Sequence, residues 1–469
     1  MSITSFAFLC CYAVLLLLYY VVPKKMQWGL LLAASIGYFL TAGELWLIIY
    51  PIAAIIIVYC GALYIDRVKE QKKKKTALSL IVVFCLLELA VLKYCNFGIY
   101  TYNALAMRLS FLSTCSFAIN FPVPLGISFY TLALLGYLFD VYYEIGKPQK
   151  NFFKFALFGM YFPVMLSGPI LRYRDVEEQL YAPHKFDYVQ VTYGFQRMLW
   201  GFFKKLVIAE RMAVIVNTVY GNYTQYPGIY IFIATVCFAF QLYADFSGGM
   251  DIVIGLSQTF GLKIAENFRT PYFSKSIQEF WRRWHMSLGS FFRDYVYIPL
   301  GGNRKHQLLN IAIVWFLTGF WHGASWNFIF WGIYYGIWLI IEKKFIFKFI
   351  DRIPGFIRLI YSNVIVLGGW VLFYFTDLGR LKAFLIAALG RNVGASNLVA
   401  NFQAISHIWI ILIMIVSATP AVKILVKKIR DKYSRLYALL LPCAVIVVMT
   451  ACFALLVKSS YNPFLYFRF

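Results

Sequence analysis

Residues 308–341 read LLNIAIVWFLTGFWHGASWNFIFWGIYYGIWLII, an apolar run without a single Asp, Glu, Lys or Arg. As one helix rising 1.5 Å per residue it would be about 50 Å long, too long for one untilted crossing of a hydrocarbon layer roughly 30 Å thick. The run therefore reads as two membrane helices meeting at a break. His322 sits at that break, flanked by the small residues Gly319, Gly323, Ala324 and Ser325, which let backbones approach closely or leave room for a substrate beside the imidazole.

The rest of the chain suits the same environment. Its 469 residues are 61% hydrophobic and 14% charged, with a mean hydropathy of +0.70. One soluble core cannot hide so many apolar side chains, whereas a bilayer solvates them directly. Clear windows lie near 3–22, 45–64, 76–94, 124–142, 228–246, 356–375, 404–426 and 436–457, with shorter or weaker ones near 28–41, 98–114, 153–171 and 190–218. The expected fold class is an all-α polytopic membrane protein, a single domain over residues 1–469. About ten to twelve transmembrane helices are expected, plus re-entrant or interfacial helices.

The formal charge of +24, from 44 Lys+Arg against 20 Asp+Glu, is what cytoplasmic loops obeying the positive-inside bias would give, so it does not argue for nucleic-acid binding. The segment VKEQKKKKT carries Lys69–Lys75 and is the strongest cytoplasmic marker. Working outward from it places Pro23–Lys25 inside and the N-terminus outside. The opening MSITSFAFLCCYAVLLLLYYVVPKK lacks a basic start and a small-residue cleavage site, so it reads as a retained first span. Nine cysteines, among them Cys10, Cys11, Cys60, Cys85, Cys237 and Cys452, lie mostly in apolar runs without C-x-x-C spacing. Neither disulfides nor a metal site are inferred from them.

The longest weakly apolar interval, about 261–307, holds Lys263, Arg269, Lys275, Arg282, Arg283, Arg293, Arg304 and Lys305 against Glu266, Glu279 and Asp294. It is expected on the cytoplasmic side, and its Trp, Phe and Tyr content presses it into the interface. If 277–297 is helical, Arg282 and His285 share a face.

Ionisable groups within spans are costly, so each is a candidate for function. Of the five histidines, His322 and His285 stand out. The bland reading of His322 is a histidine bonding across helices; that of His285 is an interfacial anchor. In QLYADFSGGMDIVIGLSQTFG, residues 241–261, Gly248 and Gly249 are expected to break a helix between Asp245 and Asp251. These carboxylates would orient a histidine, pair with an arginine or line a polar path, and Asp245 with Ser247 would equally serve as a helix cap. The segment YFPVMLSGPILRYRD, residues 161–175, interrupts a span with Pro163, Gly168 and Pro169 before Arg172 and Arg174. Three interrupted segments suggest an internal polar cavity. With no HExxH, GxSxG or phosphate-loop motif, acid/base chemistry on histidine is the fitting mechanism.

These motifs resemble a known family. ENFRTPYFSKSIQEFWRRWHMSLGSFFRDYVYIPLGGNR, followed by FWHGASWNFIFWG, is similar to the membrane-bound O-acyltransferase (MBOAT) family, in the bacterial branch that includes the alginate O-acetylation membrane protein and, more distantly, the D-alanyl transfer protein of teichoic-acid modification. PLGISFYTLALLGYLFDVY at 124–142, FPVMLSGPILRYRDVEEQL at 162–180, GFFKKLVIAERM at 201–212, YADFSGGMDIVIGLSQTFG at 243–261 and the final SYNPFLYFRF extend the likeness over most of the chain.

The resemblance implies a ring of helices around a central funnel and tunnel, with a family core at about 121–342. It implies His322 and His285 as the catalytic histidines, and a place near the core for Asp245 and Asp251. Trp321 and Asn327, beside His322, join the candidate substrate- or donor-binding residues. The implied donor is a cytoplasmic acyl thioester, acetyl-CoA or alternatively a carrier-protein thioester, with no tightly bound cofactor. Arg282, Arg283, Arg293 and Arg304 are the nearest cations for a diphosphate.

The function expected is O-acetylation of an extracellular polysaccharide from the bacterial cytoplasmic membrane, with an extracytoplasmic SGNH-like acetyltransferase as partner. D-alanyl transfer to teichoic acid is the alternative within the family. A transporter or flippase would also have broken helices and intramembrane aspartates. A scaffold would keep the basic segment and tolerate loss of the imidazole.

Overall fold

The computed structural model describes residues 2–42, 44–109, 112–116, 122–165, 168–391, 408–419 and 421–458. Among them there is no strand. In chain order the first helices are α1 (Phe6–Val21), α2 (Gln27–Ala42), α3 (Ile49–Arg67), α4 (Gln71–Leu89), α5 (Cys95–Ala106), α6 (Ile127–Tyr142), α7 (Phe152–Met160), α8 (Phe162–Met165) and α9 (Tyr173–Tyr181). There follow α10 (Tyr188–Phe202), α11 (Glu210–Gly221), α12 (Gly228–Thr259), α13 (Ile277–Arg283), α14 (Met286–Phe292), α15 (Gln307–His322), α16 (Trp326–Lys344), α17 (Gly355–Tyr374) and α18 (Leu378–Ile386). Further helices cover Ile408–Ala418, Ala421–Lys432 and Ser434–Lys458. The window at 404–426 lies partly outside the described residues, and the closing SYNPFLYFRF wholly so.

Among the described residues, five helical runs are both long and apolar enough to cross a bilayer: Leu45–Arg67, Gln71–Ala106, Gly228–Thr259, Gly355–Tyr374 and Ser434–Leu456. Phe6–Val21 and Ile127–Tyr142 are shorter apolar helices. Leu17, Val21 and Val447 turn 70%, 80% and 68% of their surface outward, a distribution that makes sense where the surroundings are themselves apolar.

The apolar run at 308–341 is two helices. α15 ends at His322, Gly323 is extended at φ −172°, and α16 starts at Trp326. The pair pack as an antiparallel hairpin because glycines line its seam. A Cβ on Gly319 would lie 2.4 Å from the Phe328 carbonyl oxygen, and one on Gly332 would lie 2.4 Å from that of Trp315.

Two sequence expectations are corrected. Gly248 and Gly249 do not break a helix, because α12 runs unbroken for 32 residues. Glycine serves close approach there: a Cβ on Gly248 would meet the Gly201 carbonyl oxygen at 2.9 Å, and one on Gly255 would meet that of Gly194 at 2.5 Å. Helical hydrogen bonds hold the backbone while the bare faces of α10 and α12 touch. Asp245, being mid-helix, caps nothing.

Nor is 277–297 one helix. Trp284 is extended, and His285 adopts the left-handed conformation at φ 48°, ψ 52°. The chain at 267–269 runs alongside and takes the backbone bonds a helix would use. Arg269 N–H donates to the Arg283 carbonyl at 2.9 Å and Met286 N–H to that of Asn267 at 3.0 Å. Arg282 and His285 are therefore not helical neighbours.

The interior divides into two apolar clusters. One gathers residues of α1–α4 and α6–α9 with Leu288, Phe291, Tyr295 and Trp321, and the other gathers residues of α11 and α16–α18 with Trp284, Phe328, Trp331 and Phe373. α12 contributes to both. His285 lies in sequence between Trp284 of one cluster and Leu288 of the other, and His322 touches Trp321 of one and Trp331 of the other. Both histidines mark the seam.

Candidate active site

A cavity of about 620 Å³ opens along that seam. His285 and His322 line its deep end, with Trp281, Trp284, Trp315 and Leu288 as walls, while Arg282, Arg293, Asn303 and Lys343 line it farther out. The gradient in exposure gives the cavity a direction. Arg282, Arg293 and Asn303 are exposed, whereas His285 and His322 keep 2% and 9% of their surface.

Both imidazoles are held edge to face by aromatic rings. His322 meets Trp331 at 4.9 Å, Trp321 at 5.0 Å and Phe373 at 5.6 Å between centroids. His285 meets Phe246 at 4.9 Å and Trp321 at 5.8 Å. His322 Nδ1 and His285 Nε2 are buried and have no hydrogen-bond partner among the described residues. A buried polar nitrogen without a partner is costly in an ordinary core, so these two have the character of groups kept for a substrate.

Asn267, which sequence reasoning passed over, decides which nitrogen of His285 carries the proton. The Ser287 backbone N–H donates to Asn267 Oδ1 at 2.9 Å, and a backbone N–H can only donate. The amide nitrogen of Asn267 therefore faces His285 Nδ1, at 3.4 Å. With Nδ1 accepting, the proton of the neutral ring sits on Nε2.

Of the four candidate arginines, the cavity takes in Arg282 and Arg293. Arg283 pairs with Glu279 at 2.5 Å, and Arg304 is exposed and outside the lining. Arg293 Nε donates to Asp294 Oδ1 at 2.6 Å, and Asp294 Oδ2 accepts from Arg172 at 2.6 Å. Burial alone would raise the Asp294 carboxyl, but the hydrogen bonds from Arg293 and Arg172 outweigh it and hold the group below the ordinary carboxylate value. The interrupted 161–175 segment is thus tied to the cavity wall by charge.

Asp245 and Asp251 do not line the cavity; they pair with cations. Asp245 bonds Lys205, while Asp251 takes Arg197 at 3.0 Å and Lys204 at 2.5 Å. A buried carboxylate with such partners is a packing element between α12 and the α10–α11 run. Trp321 stands between the two imidazoles. Asn327 is fully buried and donates to the Phe373 carbonyl at 3.0 Å. Sequence reading also missed Glu342, whose carboxylate accepts the N–H groups of Ile277 and Gln278 at 2.6 and 2.9 Å and so anchors α13 to α16.

The profile of the membrane-bound O-acyltransferase family matches residues 35–376, and the chain belongs to that family: it is a multi-pass membrane O-acyltransferase. Over 360 residues it is 34% identical to the probable alginate O-acetylase AlgI of Azotobacter vinelandii, covering 76% of this chain and 71% of the relative. It is 32% identical over 374 residues to the peptidoglycan O-acetyltransferase of Helicobacter pylori, covering 73% and 70%. A more distant similarity, 30% over 234 residues, links it to the teichoic acid D-alanyltransferase of Bacillus subtilis, covering 45% and 57%.

Proposed function

We propose that this protein moves an acetyl group from a cytoplasmic thioester to the outer side of a bacterial cytoplasmic membrane, for O-acetylation of an extracellular polysaccharide. The observation that carries the reading is a cavity that joins the exposed Arg282 and Arg293 to two buried imidazoles. Acetyl-CoA is the donor that suits it. Arg282, Arg293 and Lys343 meet the diphosphate, and the thioester reaches inward along the tryptophan walls. The cation-lined mouth then faces the cytoplasm, in keeping with the basic loop at Lys69–Lys75 and with an N-terminus outside. An extracytoplasmic acetyltransferase of the SGNH type, presenting a serine, would relay the group to the polymer. Names of relatives that act on alginate and peptidoglycan support the acceptor class.

In this mechanism His322 takes the proton of the attacking hydroxyl as its oxygen bonds to the thioester carbonyl carbon, a role worth about 10²–10⁴-fold. His285 donates its Nε2–H to the carbonyl oxygen as negative charge gathers there. The carbon–sulfur bond then breaks, the ester departs, and the leaving thiolate takes the proton back from His322.

The test is His322→Ala in cells, with ester-linked acetate and D-alanine quantified on purified envelope polymers. Loss of acetate with normal accumulation of the protein is expected. Wild-type acetate would overturn the assignment, and loss of D-alanine in its place would redirect it to teichoic acid.

A further inference from the structure

α15 ends at His322 without the glycine turn that closes many helices, since Gly323 is extended. Its last carbonyls still need partners. They find them on a distant helix. Lys93 Nζ donates to the carbonyls of Trp321 at 3.1 Å and His322 at 3.4 Å. Tyr94 Oη donates to that of Phe320 and reaches that of Trp321 at 3.4 Å, and its ring stacks on Phe320 at 4.2 Å and 12°. Both residues belong to the π-helical turn Ala90–Tyr94, set within the helical run Gln71–Ala106. A π turn inside a long helix inserts a residue and re-aims the side chains after it. Here it sends two neighbours to one helix end.

We propose that Lys93 and Tyr94 are positioning residues for His322, a clamp that fixes the carbonyl end of α15 and thereby the imidazole that ends it. A cation at a helix C-terminus is electrostatically favoured, so the carbonyls of Trp321 and His322 offset part of the cost of burying the Lys93 ammonium. The inference rests on the catalytic reading of His322, and a misplacement of about 1 Å can cost 10²-fold in rate.

The experiment uses the full chain in membrane vesicles with acetyl-CoA as donor, alongside hydrogen exchange of the detergent-solubilised protein. In Lys93→Met and Tyr94→Phe, amides of 319–325 should exchange faster while those of Gly228–Thr259 stay as in the wild type. In Lys93→Met, kcat should fall about tenfold or more with KM for acetyl-CoA within about twofold, and Lys93→Arg should restore both. Unchanged exchange at 319–325 overturns the clamp, as does faster exchange with undiminished kcat. If His322→Ala leaves transfer intact the catalytic reading fails, but the exchange data still decide whether the clamp exists.

Discussion

The ring of Trp321 stands between the two histidines, 5.8 Å from that of His285 and 5.0 Å from that of His322. It links one apolar cluster to both imidazoles. Trp321→Phe keeps a ring but shortens it, so the imidazoles lose a shared wall. Acetyl transfer should fall about tenfold or more while the protein accumulates normally. Trp321→Ala, by contrast, should lower stability by about 3–5 kcal/mol, seen as reduced thermal stability in detergent.

If His285 Nε2 donates to the developing oxyanion, its loss should resemble loss of one such donor, about 10²–10³-fold in kcat. Asn267→Asp should behave alike, since a carboxylate beside Nδ1 calls for an N–H there and strips the proton from Nε2. Steady-state kinetics with acetyl-CoA measure both. An Asn267→Asp enzyme with wild-type kcat would remove the tautomer from the mechanism.

The exposed end of the cavity should govern donor binding rather than chemistry. Arg282→Gln and Lys343→Gln should each raise KM for acetyl-CoA severalfold with kcat nearly unchanged, and added salt should mimic them. Titration of initial rates against acetyl-CoA at two ionic strengths reads this directly.

Asp294 should couple stability to acidity. Its carboxyl is held below the ordinary value by Arg293 and Arg172, so the stabilisation is complete above the unfolded value of about 3.9 and is lost as pH falls through the lowered one. Thermal unfolding in detergent should show Asp294→Asn less stable than the wild type at pH 7, and the two should converge on acidification.

Gly332→Val should prevent accumulation, since its side chain would enter the space 2.4 Å from the Trp315 carbonyl oxygen. Backbone cannot yield there as a flexible side chain would. Immunoblotting of membranes checks it.

Much of this was legible in the sequence because a bilayer punishes charge and breaks so severely. The interruption at His322 could be placed from run length and small residues alone, and the basic stretch 282–304 from its surplus of charge, though of its four arginines only Arg282 and Arg293 line the cavity. What stayed hidden depends on partners remote in sequence. Asn267 looks like any polar loop residue until Ser287 fixes its amide. Asp245 and Asp251 carried the same signal as a catalytic carboxylate, and only Lys205, Lys204 and Arg197 reveal them as buried ion pairs. Gly248 reads as a helix breaker unless the opposing face of α10 is known. Lys93 did carry a signal, a cation at the edge of the 76–94 window, where membrane energetics give it no place without a partner.

The left-handed backbone at His285, φ 48° and ψ 52°, narrows what can occupy that position. Most side chains resist this conformation, while asparagine, aspartate, histidine and glycine accept it more readily. Of these, asparagine alone besides histidine offers an N–H donor on an uncharged side chain. The backbone twist that turns a helix aside thus also filters its own chemistry, leaving two residues able to satisfy the geometry and the hydrogen bond together.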